Sequence, residues 1–215
     1  MELDEAREAV YRAGLDLVKE GLVARTWGNI SVRLDDYRFV ITPSGRTYET
    51  LKPGEMVVVK MGDLSHEGTI KPSSEKGMHA AVYLGRPEIT AVVHTHQLFA
   101  STVAAARKGI KGLSKAHARV LGSGVACAAY ALPGSKKLKR AAATALEGDR
   151  RAALLANHGA LCIGETMAEA FDVAKTLEAA CECFIAQSFM EKYEIKGTDL
   201  PSTEQMHRFY LEKEI

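Results

Sequence analysis

The sequence predicts a single α/β domain, on three grounds. Strand-like and helix-like stretches alternate from one end to the other. No internal repeat, low-complexity linker or break in composition divides them. The length, 215 residues, fills one well-buried domain and is short for two, so one unit over residues 1–215 is expected. Apolar residues at 47% and charged residues at 26% are ordinary for a globular protein. A formal net charge of +1 gives no bulk field toward nucleic acid or a membrane surface. No run approaches the roughly 18 consecutive apolar residues of a membrane span. The first five residues are acidic and polar, without the basic-then-apolar order of a signal peptide, so the cytosol is the expected compartment. Cys127, Cys162, Cys181 and Cys183 include no C-x-x-C pair and are expected as buried, reduced thiols.

The elements follow in order. Leu3, Ala6, Val10, Ala13 and Leu17 form one helical stripe over residues 3–20, closed by Gly21. A polar turn, Thr26-Trp27-Gly28-Asn29, precedes two strands, 30–33 and 38–42, that read as a hairpin around Asp35-Asp36. Residues 56–61 are a β-rich run. Pro72-Ser73-Ser74-Glu75 starts a helix, with serine expected as its N-cap and Glu75 at the positive end of the dipole; Pro87 closes it. Residues 89–93 form a buried-type strand ending in His94-Thr95-His96, and 98–108 a helix. Residues 120–130 read as a strand interrupted at Gly122-Ser123-Gly124. Ser135 caps a helix to 146, and two short strands, 152–156 and 160–163, flank Asn157-His158-Gly159. Helical spacing then runs over 166–190, and a polar tail follows from about 191, expected to be mobile or at a subunit interface.

Chemistry concentrates at a few positions. On an extended chain alternate side chains share a face, so His94 and His96 can reach one metal ion together; the same pattern also suits two loop histidines. His158 sits in a tight turn between apolar runs, where a histidine more often bonds backbone. If all three meet, a four-coordinate metal keeps one open position, as a catalytic site requires. Glu75 is an ordinary first-turn glutamate or, beside a metal, an acid/base. Gly28-Asn29 with Ser31, Ser44-Gly45 and Ser73-Ser74 are ordinary turns and a helix cap, or amides and hydroxyls for an anion. His79 falls on the helix after Glu75 as a structural residue, His66 and His207 read as solvated, and His117 is unassigned.

Taken in order, five stretches resemble the class II aldolase/adducin-head family, and within it the fuculose-phosphate aldolase branch. They are Gly28-Asn29-Ile30-Ser31-Val32, Ile41-Thr42-Pro43-Ser44-Gly45, Pro72-Ser73-Ser74-Glu75, Ala91-Val92-Val93-His94-Thr95-His96 and Leu155-Ala156-Asn157-His158-Gly159. The resemblance implies a three-layer α/β/α domain around a central, largely antiparallel sheet. It implies one Zn2+ per subunit on His94, His96 and His158, with Mn2+ or Co2+ also suited to such donors. Glu75 would be the catalytic acid/base and a metal ligand in the resting state. Gly28, Asn29, Ser44, Gly45, Ser73 and Ser74 would line a phosphate pocket for a phosphorylated sugar, in a homotetramer with active sites between subunits.

The activity so implied is reversible cleavage of a ketose 1-phosphate, L-fuculose-1-phosphate-like, to dihydroxyacetone phosphate and an aldehyde. A phosphosugar epimerase or dehydratase on the same metal site is the alternative, and a non-catalytic adducin-type assembly module a third reading. Glu75 favours the aldolase branch, because the ribulose-phosphate epimerase branch carries aspartate there. One departure stands out. The fuculose-phosphate aldolases follow the histidine matching His117 with a tyrosine that reaches a neighbouring subunit's site; here Ala118 follows. His117, Tyr193 and Tyr210 are the candidates for its role.

Overall fold

The computed structural model describes residues 1–23 and 27–213, without the side chains of Tyr210 and Lys213. Its centre is one seven-stranded sheet, in the order β3-β2-β1-β4-β7-β6-β5. The strands are β1 (Asn29–Arg33), β2 (Arg38–Ile41), β3 (Val57–Lys60), β4 (Ala91–Thr95), β5 (Ala126–Ala128), β6 (Ala152–Leu155) and β7 (Gly159–Gly164). Every neighbouring pair is antiparallel except β5 with β6. The expected largely antiparallel sheet is therefore present.

Alternation along each strand builds two apolar layers, one on each face. Ile30, Val32, Val40, Val58, Ala91 and Val93 enter one cluster, together with α1 (Leu3–Lys19), α3 (Leu98–Ala105), α4 (Lys115–Leu121) and α6 (Met167–Lys192). Phe39, Ile41, Val57, Val59, Val92, Leu161 and Ile163 enter the other, under α2 (Lys76–Gly85) and α5 (Lys136–Ala145). Sheet residues two apart share a face, which makes the three-layer α/β/α sandwich a consequence of the sequence pattern. Among the described residues no helix is long and apolar enough to cross a membrane.

The sequence-predicted elements recur with four corrections. Residues 120–130 are not one strand: α4 runs through Val120 to Leu121, Gly122 at φ 85° ends it, and only Ala126–Ala128 pair. Short apolar runs do not distinguish a buried helix end from a strand. The tail holds a further helix, α7 (Thr203–Lys213), which packs Met206 against Ala186 and Phe189 of α6. Of the four free thiols, Cys162 and Cys181 are buried and Cys127 and Cys183 only half-buried. No serine caps α2: Glu75 itself holds the N-cap position, with its side chain unused for capping. The predicted turn at Thr26 begins outside the described residues, as does the Tyr210 side chain.

Candidate active site

His94 is the penultimate residue of β4, on the central strand of the sheet, with Asn29 of β1 on one side and Leu161 of β7 on the other. It lies on the same face as Val92, the face covered by α2. His96 follows two positions later, and His158 stands in the loop joining β6 to β7. Asn157 adopts φ 57°, which asparagine tolerates, and its carbonyl-type side-chain oxygen accepts from Arg107 Nε at 3.1 Å. Two glycines allow the close approach. A Cβ at Gly159 would lie under 3.0 Å from the Thr95 carbonyl oxygen, and 3.3 and 3.4 Å from the His94 and His96 rings. Gly28 has φ 115°, and a Cβ there would meet the His94 carbonyl oxygen at 2.8 Å.

The three imidazoles converge. Their ring centroids are 4.7, 4.9 and 5.1 Å apart, and one nitrogen of each falls within 4.8 Å of the others. Glu75 reaches across from the start of α2, with Oε2 3.1 Å from His94 Nε2 and Oε1 3.2 Å from His158 Nε2. The donor set fits a cation. His94 Nδ1 lies 2.8 Å from the Ala160 carbonyl oxygen, which can only accept, so Nδ1 carries a proton and Nε2 is the nitrogen whose lone pair is available to a cation. That lone pair faces His96 Nε2 at 2.9 Å and a carboxylate at 3.1 Å. Such an arrangement of buried acceptors is satisfied by a positive charge among them. Among the described residues Glu75 Oε1 and His158 Nδ1 are buried without a hydrogen-bond partner, which also fits a cation-binding centre.

Electrostatics keep these groups in ligand form. Burial lowers His96 to about 3, reinforced by the charge of His94 and then of His158. Burial and then His94 lower His158 to about 4. For Glu75 burial pulls upward, but the hydrogen bond and charge of His94, the charge of His158 and the Asn29 amide together hold it well below the usual carboxylate range. At neutral pH His96 and His158 are therefore neutral and the Glu75 carboxylate is ionised.

A cleft of about 480 Å³ opens beside the cluster. Its lining includes Gly28, Asn29, Ser44, Gly45, Ser73 and Ser74, together with Glu75, His96 and His158. The structure thus brings together all ten sequence-predicted site residues; His94 is the one that sits wholly behind the wall, 0% exposed. Ser31 does not reach the cleft. It is fully buried and bonded to His79 and Tyr83. Sequence reasoning missed Trp27, which packs against His96 at 5.8 Å between rings, and Pro133, from the loop before α5. No spacing pattern marks Pro133, whereas an exposed tryptophan beside Gly-Asn was a usable signal. His117 lies on α4 outside the lining of the cleft, and Tyr193 packs against Phe189 and Phe209.

Comparison with known proteins places this geometry. Residues 8–185 match the model of the Class II Aldolase and Adducin N-terminal domain. The chain belongs to that family. It is 37% identical over 187 residues to the 5-deoxy-D-ribulose 1-phosphate aldolase of Bacillus thuringiensis serovar kurstaki, covering 86% of each chain. It is 32% identical over 185 residues to the L-fuculose phosphate aldolase of Escherichia coli K12, covering 86% of this chain and 85% of that one. A solved L-fuculose 1-phosphate aldolase superposes with a TM-score of 0.80 at 30% identity, over 98% of this chain and 97% of the other. The protein is a metal-dependent class II sugar-phosphate aldolase, with His94, His96 and His158 as its candidate metal site.

Proposed function

We propose that the chain reversibly cleaves a ketose 1-phosphate to dihydroxyacetone phosphate and a small aldehyde. His94, His96 and His158 would hold Zn2+, and Glu75 would carry the proton. The observation that carries this reading is one carboxylate lying 3.1 and 3.2 Å from two imidazoles of the cluster, on the wall of a cleft rich in small polar residues. When bound, the cation supplies a Lewis acid that stabilises the negative charge left on the substrate's carbonyl oxygen.

The chain's own groups do the rest. Amides and hydroxyls of Gly28, Asn29, Ser44, Gly45, Ser73 and Ser74 anchor the phosphate, and so fix which carbon faces Glu75. Glu75 is ionised and held by Asn29 Nδ2 at 2.9 Å, so it stands ready to remove the proton from that carbon in the synthetic direction. In cleavage it returns the proton to the same carbon. Among the described residues no lysine lines the cleft.

The released aldehyde is the open part of the assignment, and Ala118 bears on it. Ala118 stands where the fuculose-phosphate aldolases place a tyrosine after the matching histidine, so its role falls to another group. The 37% identity to a 5-deoxy-D-ribulose 1-phosphate aldolase supports a 5-deoxypentulose 1-phosphate as the substrate. L-fuculose 1-phosphate is the second reading, supported by the 0.80 TM-score. A homotetramer working in the cytosol completes the proposal.

A panel of C5 and C6 ketose 1-phosphates, followed by aldehyde release, epimer formation and water loss, tests it. Aldehyde release is expected to dominate; epimer or dehydrated product alone would replace the aldolase with one of its alternatives. Glu75→Gln is expected to keep the fold and lower deuterium exchange into dihydroxyacetone phosphate by about 10²–10⁴-fold.

A further inference from the structure

From Asn29 on the cleft wall a line of buried polar side chains runs into the interior, and its members His79, Ser31 and Tyr83 have no role in the function above. Asn29 Nδ2 donates to Glu75 Oε2 at 2.9 Å. Asn29 Oδ1 lies 2.6 Å from His79 Nε2, and His79 Nδ1 lies 2.6 Å from Ser31 Oγ. Ser31 Oγ lies 2.7 Å from the Tyr83 hydroxyl. Ser31 and His79 are 0% exposed, Tyr83 1% and Asn29 4%, so the line is shielded from bulk solvent. The line joins two elements: Asn29 and Ser31 share one face of β1, and His79 and Tyr83 lie one turn apart on α2.

With His79 neutral and Glu75 ionised, one direction of donation runs through the line, the Thr90 carbonyl oxygen lying farther from the Tyr83 hydroxyl, at 3.5 Å, than Ser31 Oγ. The ionised carboxylate accepts and cannot donate, so Asn29 must turn its NH2 toward Glu75 and its oxygen toward His79. His79 Nε2 must then carry the proton, which leaves Nδ1 to accept from the Ser31 hydroxyl. Ser31 has spent its only hydrogen and accepts in turn from Tyr83. Were the proton on Nδ1 instead, Asn29 would have to flip, setting its carbonyl oxygen against the carboxylate. That would leave a buried charge facing a dipole of the wrong sign.

We propose that His79 is a positioning residue: its Nε2–H locks the amide of Asn29 so that Glu75 is always presented with an N–H donor, and Ser31 and Tyr83 lock His79. The Glu75 carboxylate is thereby held in one place and orientation while it exchanges its proton with substrate. Asn29 also lines the cleft, so the same lock ties the anion-binding wall to the proton carrier. The inference rests on the reading of Glu75 as that carrier.

The test has a spectroscopic and a kinetic arm, both on the full, zinc-loaded chain. With 15N-labelled histidine, the ring signals that vanish in His79→Gln are expected to show a protonated Nε2 and an unprotonated Nδ1 from pH 6 to 8. The opposite tautomer would overturn the proposal. In the kinetic arm, His79→Leu removes the donor, His79→Gln restores an N–H near the Nε2 position, and Ser31→Ala removes a single oxygen. Should the leucine variant fail to fold, the alanine variant keeps the test alive. Leucine and alanine are expected to slow deuterium exchange into dihydroxyacetone phosphate by about 10–100-fold with zinc content unchanged. The loss is expected in kcat, with KM within about threefold, and glutamine is expected to recover most of it. Full exchange in both variants, or a loss confined to KM, would overturn the positioning role. If Glu75→Gln itself exchanged at the normal rate, the reading of Glu75 would fall instead, which separates the two failures.

Discussion

Replacing Gly159 by alanine attacks the site through the backbone alone. A Cβ there points at the Thr95 carbonyl oxygen, under 3.0 Å away, and that oxygen belongs to the neighbouring strand rather than to a side chain that could swing aside. The His94 and His96 rings, at 3.3 and 3.4 Å, close the other directions. Relief requires β7 to move off β4 where Thr95 pairs with Ala160. Overpacking of this kind costs about 1–3 kcal/mol. For a domain of this size that corresponds to a fall in Tm of roughly 2–12 °C. The same shift moves the Ala160 carbonyl that fixes the His94 tautomer, and losing such support lowers metal affinity about 10–100-fold. Gly54→Ala is the control, since nothing lies within 4 Å of a Cβ there and its effect should stay within about 0.5 kcal/mol. Thermal unfolding with and without chelator reads the first effect, and competitive zinc titration the second. A Gly159→Ala protein with unchanged Tm and unchanged zinc affinity would refute the claim that this glycine is what lets the two histidine-bearing segments meet.

Other consequences can be checked more briefly. His158→Ala is expected to lower metal content and activity together, because it removes a third of the nitrogen donors; metal analysis of the purified variant alongside its turnover would expose a discrepancy between the two. Burial, then the charge of His94, lower His79 to about 3, opposed by Glu75. The sign follows from linkage: below pH 6.5 the unfolded chain binds a proton at this position that the folded chain refuses. His79 therefore contributes stability that is complete above about pH 6.5 and lost as pH falls toward 3. Urea unfolding between pH 7 and 5 should show a slope reduced by up to about 1.4 kcal/mol per pH unit in His79→Gln. An identical slope in both proteins would place the proton uptake elsewhere.

Much of this was legible in the sequence because period and punctuation carry it. Alternating Val and Ile residues on β1 to β4 separate the two core layers, and His94-x-His96 inherits its shared face from the same period. The tight Asn157-His158-Gly159 turn announced itself between two apolar runs. What could not be read were facts set by neighbours distant in sequence. Ser31 looked like a member of a Gly-Asn-Ser anion turn, yet its place on β1 points it at α2, which pairs it with a histidine 48 residues away. His79 passed as structural because helical spacing alone cannot say that its partner's partner is Glu75. At α2 the serines fit the capping rule, but the Ser73 hydroxyl accepts from the Glu75 amide before the helix begins, and the glutamate takes the boundary position. Residues 120–130 failed for a simpler reason: Val120 and Leu121 suit a helix end as well as a strand, and the packing of α4 on α6 decides it.

The most direct test is a crystal of the zinc-loaded chain measured at the zinc absorption edge. One anomalous peak is expected per subunit, about 2.0–2.1 Å from a nitrogen of each of His94, His96 and His158, with Glu75 beside it. A zinc ion bound by the two strand-end imidazoles while His158 stays unligated, or bound at another place on the molecule, would contradict the account.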